Sequence, residues 1–194
     1  MINIRSNVFE TNSSSVHSLV IRKDSWFDDK CIDDTPYLIQ GGYYGRCPQI
    51  PIEDTEGKLN YIWTMVNCLW GLHYTAYKDE DGNYLEEEER PVDYYNEQRF
   101  NRWKKKLQKM FPRATFVTNS PNNWDYGIDH AGGLENFADS MENHSELLKY
   151  LLFSYSWIEV SGDEYANWPC MLSYPWEELI EINDGRNIIY IKGN

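Results

Sequence analysis

Apolar side chains recur at three- and four-residue steps between residues 58 and 72, and this spacing predicts an amphipathic helix. The apolar stripe consists of Leu59, Ile62, Trp63, Val66, Leu69 and Trp70. Asp54 or Thr55, just ahead of the stripe, is suited to cap the helix N-terminus. The same periodicity predicts further helices over residues 92–111 and 145–153.

Alternation of apolar and polar residues predicts strands near both ends of the chain. The expected strands cover residues 2–8, 16–22, 37–40, 115–118 and 157–160, and a β-hairpin covers residues 178–192. Strands at both ends with helices between them predict an α+β fold, in which a mixed or antiparallel sheet includes both terminal regions and packs against two to three amphipathic helices. We expect a single domain over residues 1–194, with residues 79–91 as an exposed acidic hairpin or loop.

The charge balance narrows the range of partners. The formal net charge of −13 disfavours direct contact with nucleic acid, because phosphate contacts require Lys and Arg. An acidic surface fits a basic groove on another protein, and solubility alone is the alternative explanation. The 8 Trp, 15 Tyr and 7 Phe also suit a contact surface, with ordinary core packing as the alternative.

The cysteines and the hydropathy pattern predict a cytoplasmic chain. Cys31, Cys47, Cys68 and Cys170 are widely spaced and include no C-x-x-C pair, so we expect reduced thiols. No apolar run has the length of a membrane span, and the start of the sequence has no signal-peptide pattern. We therefore expect no membrane contact.

Residues 7–18 are rich in small side chains that form hydrogen bonds. Consecutive N–H groups and hydroxyls in a turn can form a concave site for an anion. The alternative is a structural turn in which Asn and Ser bond to their own backbone, and the run lacks the glycines and lysine of a phosphate loop. The candidate binding residues are Glu10, Asn12, Ser13 and Ser14.

His17 and Ser15 are candidate catalytic residues in the same segment. His17 can serve as a base for a neighbouring serine, with Glu10 orienting it. Direct pairing with Ser15 requires an unusual bend, because the two residues are so close in the sequence. A regular strand over residues 16–22 places His17 on the same face as Leu19. The alternative to a catalytic role is then a buried histidine whose hydrogen bonds are made within the core.

Asp129 and His130 are the other two candidate catalytic residues, and they lie in a long polar loop, residues 119–133. A carboxylate and an imidazole can do acid–base work or bind a divalent metal, and turn formation is the alternative. The acidic run at residues 79–83 fails the EF-hand pattern, because Gly82 falls at the fourth position of the loop rather than the sixth. We assign no metal site and no cofactor from the sequence.

One stretch of this acidic chain is rich in basic residues. Arg102, Lys104, Lys105, Lys106 and Lys109 surround the apolar positions of the second predicted helix. We interpret them as the solvated flank of an amphipathic helix, with a local contact to an anion as the alternative.

Residues 8–19, VFETNSSSVHSL, resemble the opening of a group of small bacteriophage and mobile-element proteins of no established activity. Residues 126–130, followed by 147–153 and 157–159, are similar to a second segment of the same group. The resemblance implies a viral or mobile-element setting in the cytoplasm of a bacterial host, and no catalytic role carries over from it. It also raises the hypothesis that the two segments form one site.

Two functions from different classes follow. The first is an acidic accessory protein that binds and inhibits a host protein with a basic surface, such as a defence component that handles nucleic acid. The alternative is an enzyme or sensor that holds a nucleotide or other phosphorylated small molecule through Asn12, Ser13, Ser14 and Ser15, with His17 in proton transfer. The sequence leaves open whether the chain catalyses a reaction and whether it forms a homo-oligomer.

Overall fold

The computed structural model describes residues 16–21, 32–44, 51–121, 126–128, 134–143, 145–153, 156–161 and 190–193. The helices are α1 (Thr55–Trp70), α2 (Glu97–Met110), α3 (Leu134–Asn143) and α4 (Ser145–Phe153). The strands are β1 (Val16–Ile21), β2 (Leu38–Ile39), β3 (Tyr43–Tyr44), β4 (Leu72–Tyr74), β5 (Val92–Tyr94), β6 (Thr115–Phe116), β7 (Gly127–Ile128), β8 (Ser156–Ser161) and β9 (Tyr190–Gly193). Helices together with small sheets give the α+β fold that the sequence predicts.

An antiparallel sheet joins the two terminal regions, as the sequence predicts. Its strand order is β8-β1-β9, so β1 is paired on both sides. In the register, Leu19 lies opposite Ile158 on one side and Ile191 on the other. The strand predicted over residues 2–8 and the first strand of the predicted C-terminal hairpin lie outside the described residues.

Helix α1 is the centre of the hydrophobic core. Asp54 caps its N-terminus by accepting a hydrogen bond of 2.7 Å from the Gly57 amide, and the Gly71 amide closes its last turn on the Asn67 carbonyl at 2.8 Å. Seven consecutive residues of α1, from 61 to 67, are buried, because the helix is covered by α2, α3, α4 and the short strands β2 and β7. Burial of this order favours folding by about 25 cal/mol for each Å² of apolar surface.

Two short parallel strand pairs fix the loops around α1. Strand β2 pairs with β6, and β3 pairs with β7. Between β2 and β3 the chain turns at Gly41, whose φ of +76° suits glycine. A Cβ atom at this position would overlap the ring of Tyr126, so glycine also allows the close approach of that ring.

The predicted helices need two corrections, one to the start of α2 and one for a helix that is not predicted. The helix predicted over residues 92–111 begins only at Glu97, because residues 92–94 are extended as β5 and pair with β4. Asn96 starts α2 by accepting a hydrogen bond of 3.1 Å from the Arg99 amide. Helix α3 lies where no helix is predicted, although Leu134, Phe137, Ala138 and Met141 are buried at helical spacing.

Charged side chains join α2 to α3. The Arg99 guanidinium pairs with Asp139 and with Glu142, and Arg102 Nε lies 2.9 Å from Glu142 Oε1. Lys106 Nζ donates to the Met141 carbonyl at 3.0 Å. The basic stretch is therefore solvated only in part, because Arg102 and Lys106 bind a neighbouring helix of the same chain.

A buried lysine joins α1 to the terminal sheet. Lys58 is 1% exposed, and its Nζ lies 3.3 Å from both the carbonyl and the hydroxyl oxygen of Ser156 in β8. Burial lowers the pKa of Lys58 to about 8, even though the charges of Asp54 and Glu53 act to raise it. Because an unfolded lysine keeps its ordinary pKa, this group makes the stability of the fold depend on pH.

Candidate functional site

Most of the residues proposed from the sequence lie outside the described residues. This applies to Glu10, Asn12, Ser13, Ser14, Ser15, Asp129 and His130. Their binding and catalytic roles stay predictions.

His17 lies in β1, where the backbone register can be followed. Its two register partners are Val160 in β8 and Gly193 in β9, and neither of them titrates. Two residues further along β1, Leu19 pairs with Ile158, which is fully buried. The register therefore brings His17 no acid or base from its paired strands.

Residues 126–128 lead directly into Asp129 and His130. The Tyr126 hydroxyl donates to the Trp63 carbonyl at 3.3 Å, and the Gly127 amide donates to the Gly42 carbonyl at 3.0 Å. This segment belongs to the β3–β7 pair, whereas His17 belongs to the terminal sheet. Residues 126–128 thus lie in a different sheet from His17, whereas residues 157–159, from the same second segment of the resemblance, lie in β8 and pair directly with residues 18–20 of β1.

Cys68 is a free thiol on the side of α1. Burial raises the pKa of Cys68 to about 11, although a hydrogen bond with the Ile128 backbone acts to lower it. The group is therefore a protonated thiol at neutral pH and a poor nucleophile. The other three cysteines lie outside the described residues.

The exposed chemistry of the described chain is concentrated between β4 and β5. These strands pair antiparallel, with His73 opposite Asp93, and residues 75–91 connect them. We call residues 75–91 the acidic arm, because they include seven acidic and two basic residues, a net charge of −5 within a chain of −13. The acidic arm includes residues 79–91, for which the sequence predicts an exposed acidic hairpin or loop.

The acidic arm is held in shape by its own hydrogen bonds. The Thr75 amide donates to the Pro91 carbonyl at its base, and the Leu85 amide donates to the Tyr77 carbonyl further out, both at 2.9 Å. At the tip, Asp79 Oδ1 accepts from the Asn83 amide at 2.9 Å, and Gly82 completes the turn with a φ of +84°. The Asn83 side-chain amide also donates to Asp79 Oδ2 at 3.1 Å, and the two hydrogen bonds from Asn83 lower the pKa of Asp79.

Both cations of the acidic arm lie on tyrosine rings. The Arg90 guanidinium is 4.9 Å from the ring centre of Tyr77 and 5.5 Å from that of Tyr74, and Lys78 Nζ is 4.4 Å from the ring centre of Tyr84. Among the described residues, no carboxylate of the arm forms an ion pair. The negative charge of the arm is therefore available to another molecule.

Large apolar groups are exposed beside this charge. Tyr77 is 60% exposed and Tyr84 is 78% exposed, and Tyr95, just beyond β5, is 73% exposed. Tyrosine combines a large apolar surface with a polar tip and is enriched where proteins bind each other. Carboxylates beside exposed tyrosines suit a contact with a basic protein surface.

Sequence reasoning predicted the acidity of this segment and missed its tyrosines. The available signal was the presence of Tyr77 and Tyr84 next to charged residues, because a tyrosine flanked by charges is rarely a core position. Nothing in the sequence says that Lys78 and Arg90 lie on tyrosine rings rather than beside the carboxylates.

Within the described ranges, no group of three or more His, Cys, Asp or Glu is placed to hold a metal ion. The same ranges include no helix with the length and apolar character needed to cross a membrane.

Comparison with known proteins gives no relative from which a role can be transferred: no family model, no curated protein and no solved structure matches the chain. The candidate site is therefore defined by its own geometry and charge.

Proposed function

We propose that this protein is an acidic accessory protein of a bacteriophage or mobile element that binds a host protein and inhibits it by covering a basic surface. The supporting observation is the acidic arm, whose carboxylates form no ion pair with another described residue and lie beside exposed tyrosines on a segment held by its own hydrogen bonds. The phage setting comes from the resemblance of residues 8–19. Inhibition is the consequence expected when a basic surface that serves another ligand is occupied.

The two kinds of side chain have separate parts in this proposal. Carboxylates such as Glu87 and Glu88 attract a basic partner and speed the encounter. Tyr77 and Tyr84 supply apolar contact area once the surfaces meet. Because the arm is already ordered, binding loses less conformational entropy than the folding of a disordered tail would.

The partner class follows from the charge. Proteins that handle nucleic acid carry grooves lined with Lys and Arg to neutralise phosphates. A segment with a net charge of −5 fits such a groove. We therefore expect a host protein of this class, such as a defence component, and competition between nucleic acid and the arm.

The test is capture of a host protein followed by a binding measurement with purified components. The arm variant E87K/E88K should weaken binding at least about tenfold, because like charges then face each other. The control D34K/E53K alters the net charge equally at two exposed positions outside the arm and should bind like the wild type. Affinity that is equal at low and high salt, or equal in both variants, would refute the proposal.

The nucleotide-binding alternative rests on residues outside the described ranges, apart from the backbone of His17. Its test is a thermal-shift screen of the full chain with nucleotides and divalent metal ions, because a bound ligand raises the melting temperature. A shift that H17A abolishes would support it, and no shift with any of these ligands would eliminate it.

A further inference from the structure

Helix α2 and the turn after it contain a second charged region, opposite in sign to the acidic arm. Residues 99–113 include seven basic residues and no acidic one, in a chain with only 18 Lys and Arg. Three of the seven, Arg99, Arg102 and Lys106, bind α3. These three side chains are already bound within the fold, so we set them apart from the remaining four.

The other four form what we call the basic stripe: Lys104, Lys105, Lys109 and Arg113. Lys105, Lys109 and Arg113 are exposed, and Lys104 is half-buried. Within the described part of the chain, none of the four forms an ion pair. Lys105 and Lys109 are four residues apart on the helix, so they are neighbours on one face.

The basic stripe and the acidic arm lie toward opposite ends of α2. The second strand at the base of the arm, β5, ends at Tyr94, and α2 begins at Glu97. Lys105 and Lys109 lie about 12 and 18 Å further along the helix axis, at about 1.5 Å for each residue. Among the described residues, no ion pair joins the arm to the stripe of its own chain.

We propose that the acidic arm of one copy of this chain docks on the basic stripe of a second copy. Two α2 helices side by side and antiparallel place each arm beside the stripe of the other copy. In such a two-fold dimer, both acidic arms and both basic stripes are paired, so no further copy can add to it through these surfaces. The net charge of −13 makes a nucleic acid the less suitable occupant of the stripe, because an acidic chain repels phosphates.

Salt decides whether the local attraction prevails over the overall repulsion of two acidic chains. At about 0.1 M salt, charges more than about 10 Å apart are largely screened. In the proposed dimer, ion pairs between arm and stripe lie within this distance and are screened less than charges that are further apart. Association should therefore be measured near 0.1 M salt and should weaken at much higher salt.

The dimer itself does not depend on the proposed function, but it has a consequence for that function. In the dimer the arm is covered, so a basic host protein competes with the stripe for it. Release of the arm then requires a partner that binds it better than the second copy does. Self-association would keep the acidic surface covered until such a partner is present.

The experiment is sedimentation of the full chain with two charge reversals, at about 0.1 M salt. The stripe variant K105E/K109E and the arm variant E87K/E88K should each associate about a hundredfold more weakly than the wild type, because like charges then face each other. An equal mixture of the two variants should form a one-to-one heterodimer, since the reversed arm meets the reversed stripe and the native arm meets the native stripe. D34K/E53K should dimerise like the wild type.

Recovery in the mixture also shows that both variants are folded. A wild type that is monomeric at about 0.1 mM would overturn the dimer, since its dissociation constant would then lie far above that concentration. Association that survives either reversal, or variants that stay monomeric when mixed, would overturn it as well. A nucleic acid that binds the stripe of a monomeric wild type would give the stripe a different occupant and also overturn the proposal.

The two proposals fail separately. The stripe variant K105E/K109E keeps the native arm, so it should bind the host protein at least as well as the wild type does. A dimer that captures no host protein refutes the proposed function alone. A monomer that binds a host protein through the arm refutes the dimer alone.

Discussion

The interface between α2 and α3 and the acidic arm use charge in opposite ways. At the interface, Arg99 pairs with carboxylates of α3 and also covers the Trp70 ring at 4.2 Å, so both signs of charge are used within one chain. On the arm, Arg90 and Lys78 lie on tyrosine rings, and no carboxylate of the arm forms an ion pair with another described residue. Charges that are paired inside a chain stabilise its fold, whereas unpaired charges of one sign are suited to another molecule.

The largest effect on the free energy of unfolding is expected at Lys58, a charge that is buried inside the fold. The folded pKa of Lys58 is about 8, against 10.5 for an ordinary lysine. Between these two values the unfolded chain holds a proton that the folded chain has released. The stability of the wild type therefore rises with pH across this window, by roughly 3 kcal/mol in total.

Urea unfolding of the wild type and of K58M at about pH 7 and about pH 10 measures this effect. The free energy of unfolding of the wild type should rise relative to that of K58M by most of this amount. The exposed Lys109 is the matched control, and K109M should show no such change relative to the wild type. A difference between wild type and K58M that is independent of pH would contradict the assigned burial.

A smaller effect is expected at the α2–α3 interface. The side chain of Arg99 is 18% exposed, whereas that of Arg102, which shares Glu142, is 65% exposed. R99M should lower the free energy of unfolding by about 2 kcal/mol, because carboxylates of α3 lose their partner in a partly buried place. R102M should cost less than about 1 kcal/mol, as exposed ion pairs do. Equal losses of unfolding free energy in R99M and R102M would show that the partly buried ion pairs of Arg99 stabilise the fold no more than the exposed ion pair of Arg102.

The smallest effect on global stability is expected within the arm. R90M removes the cation that lies between Tyr74 and Tyr77, and the global free energy of unfolding should change by less than about 1 kcal/mol. Amide exchange at residues 75–91 should nevertheless become faster, because Arg90 Nε also donates to the Leu85 carbonyl inside the arm. Unchanged exchange in R90M would show that the cation does not hold the arm in shape.

The sequence predicts the elements of this fold where the signal is local. The apolar side chains of α1 and the leucines of α4 recur at helical spacing, and this spacing predicts both helices at or close to their observed bounds. The local pattern predicts a helix over residues 92–94, and it misses their extended form because that form depends on pairing with β4, about twenty residues earlier. Helix α3 was missed because the polar, glycine-containing run before it favours a loop.

The candidate site was predictable in its charge and not in its arrangement. Composition alone marks residues 79–89 as acidic. That Arg99 binds residues some forty positions away, leaving Lys105 and Lys109 without such partners, is set by tertiary contacts. The predicted site at Asn12, Ser13, Ser14 and Ser15 stays a prediction.

The most direct test of the central claim measures folding and binding on the same two variants, E87K/E88K and D34K/E53K, which have equal net charge. If the carboxylates of the acidic arm serve a partner and not the fold, the arm variant should unfold within about 0.5 kcal/mol of the wild type. It should also bind the captured host protein at least about tenfold more weakly, while the control binds normally. An arm variant that loses about 2 kcal/mol or more of stability, or that binds the host protein as the control does, would contradict the claim.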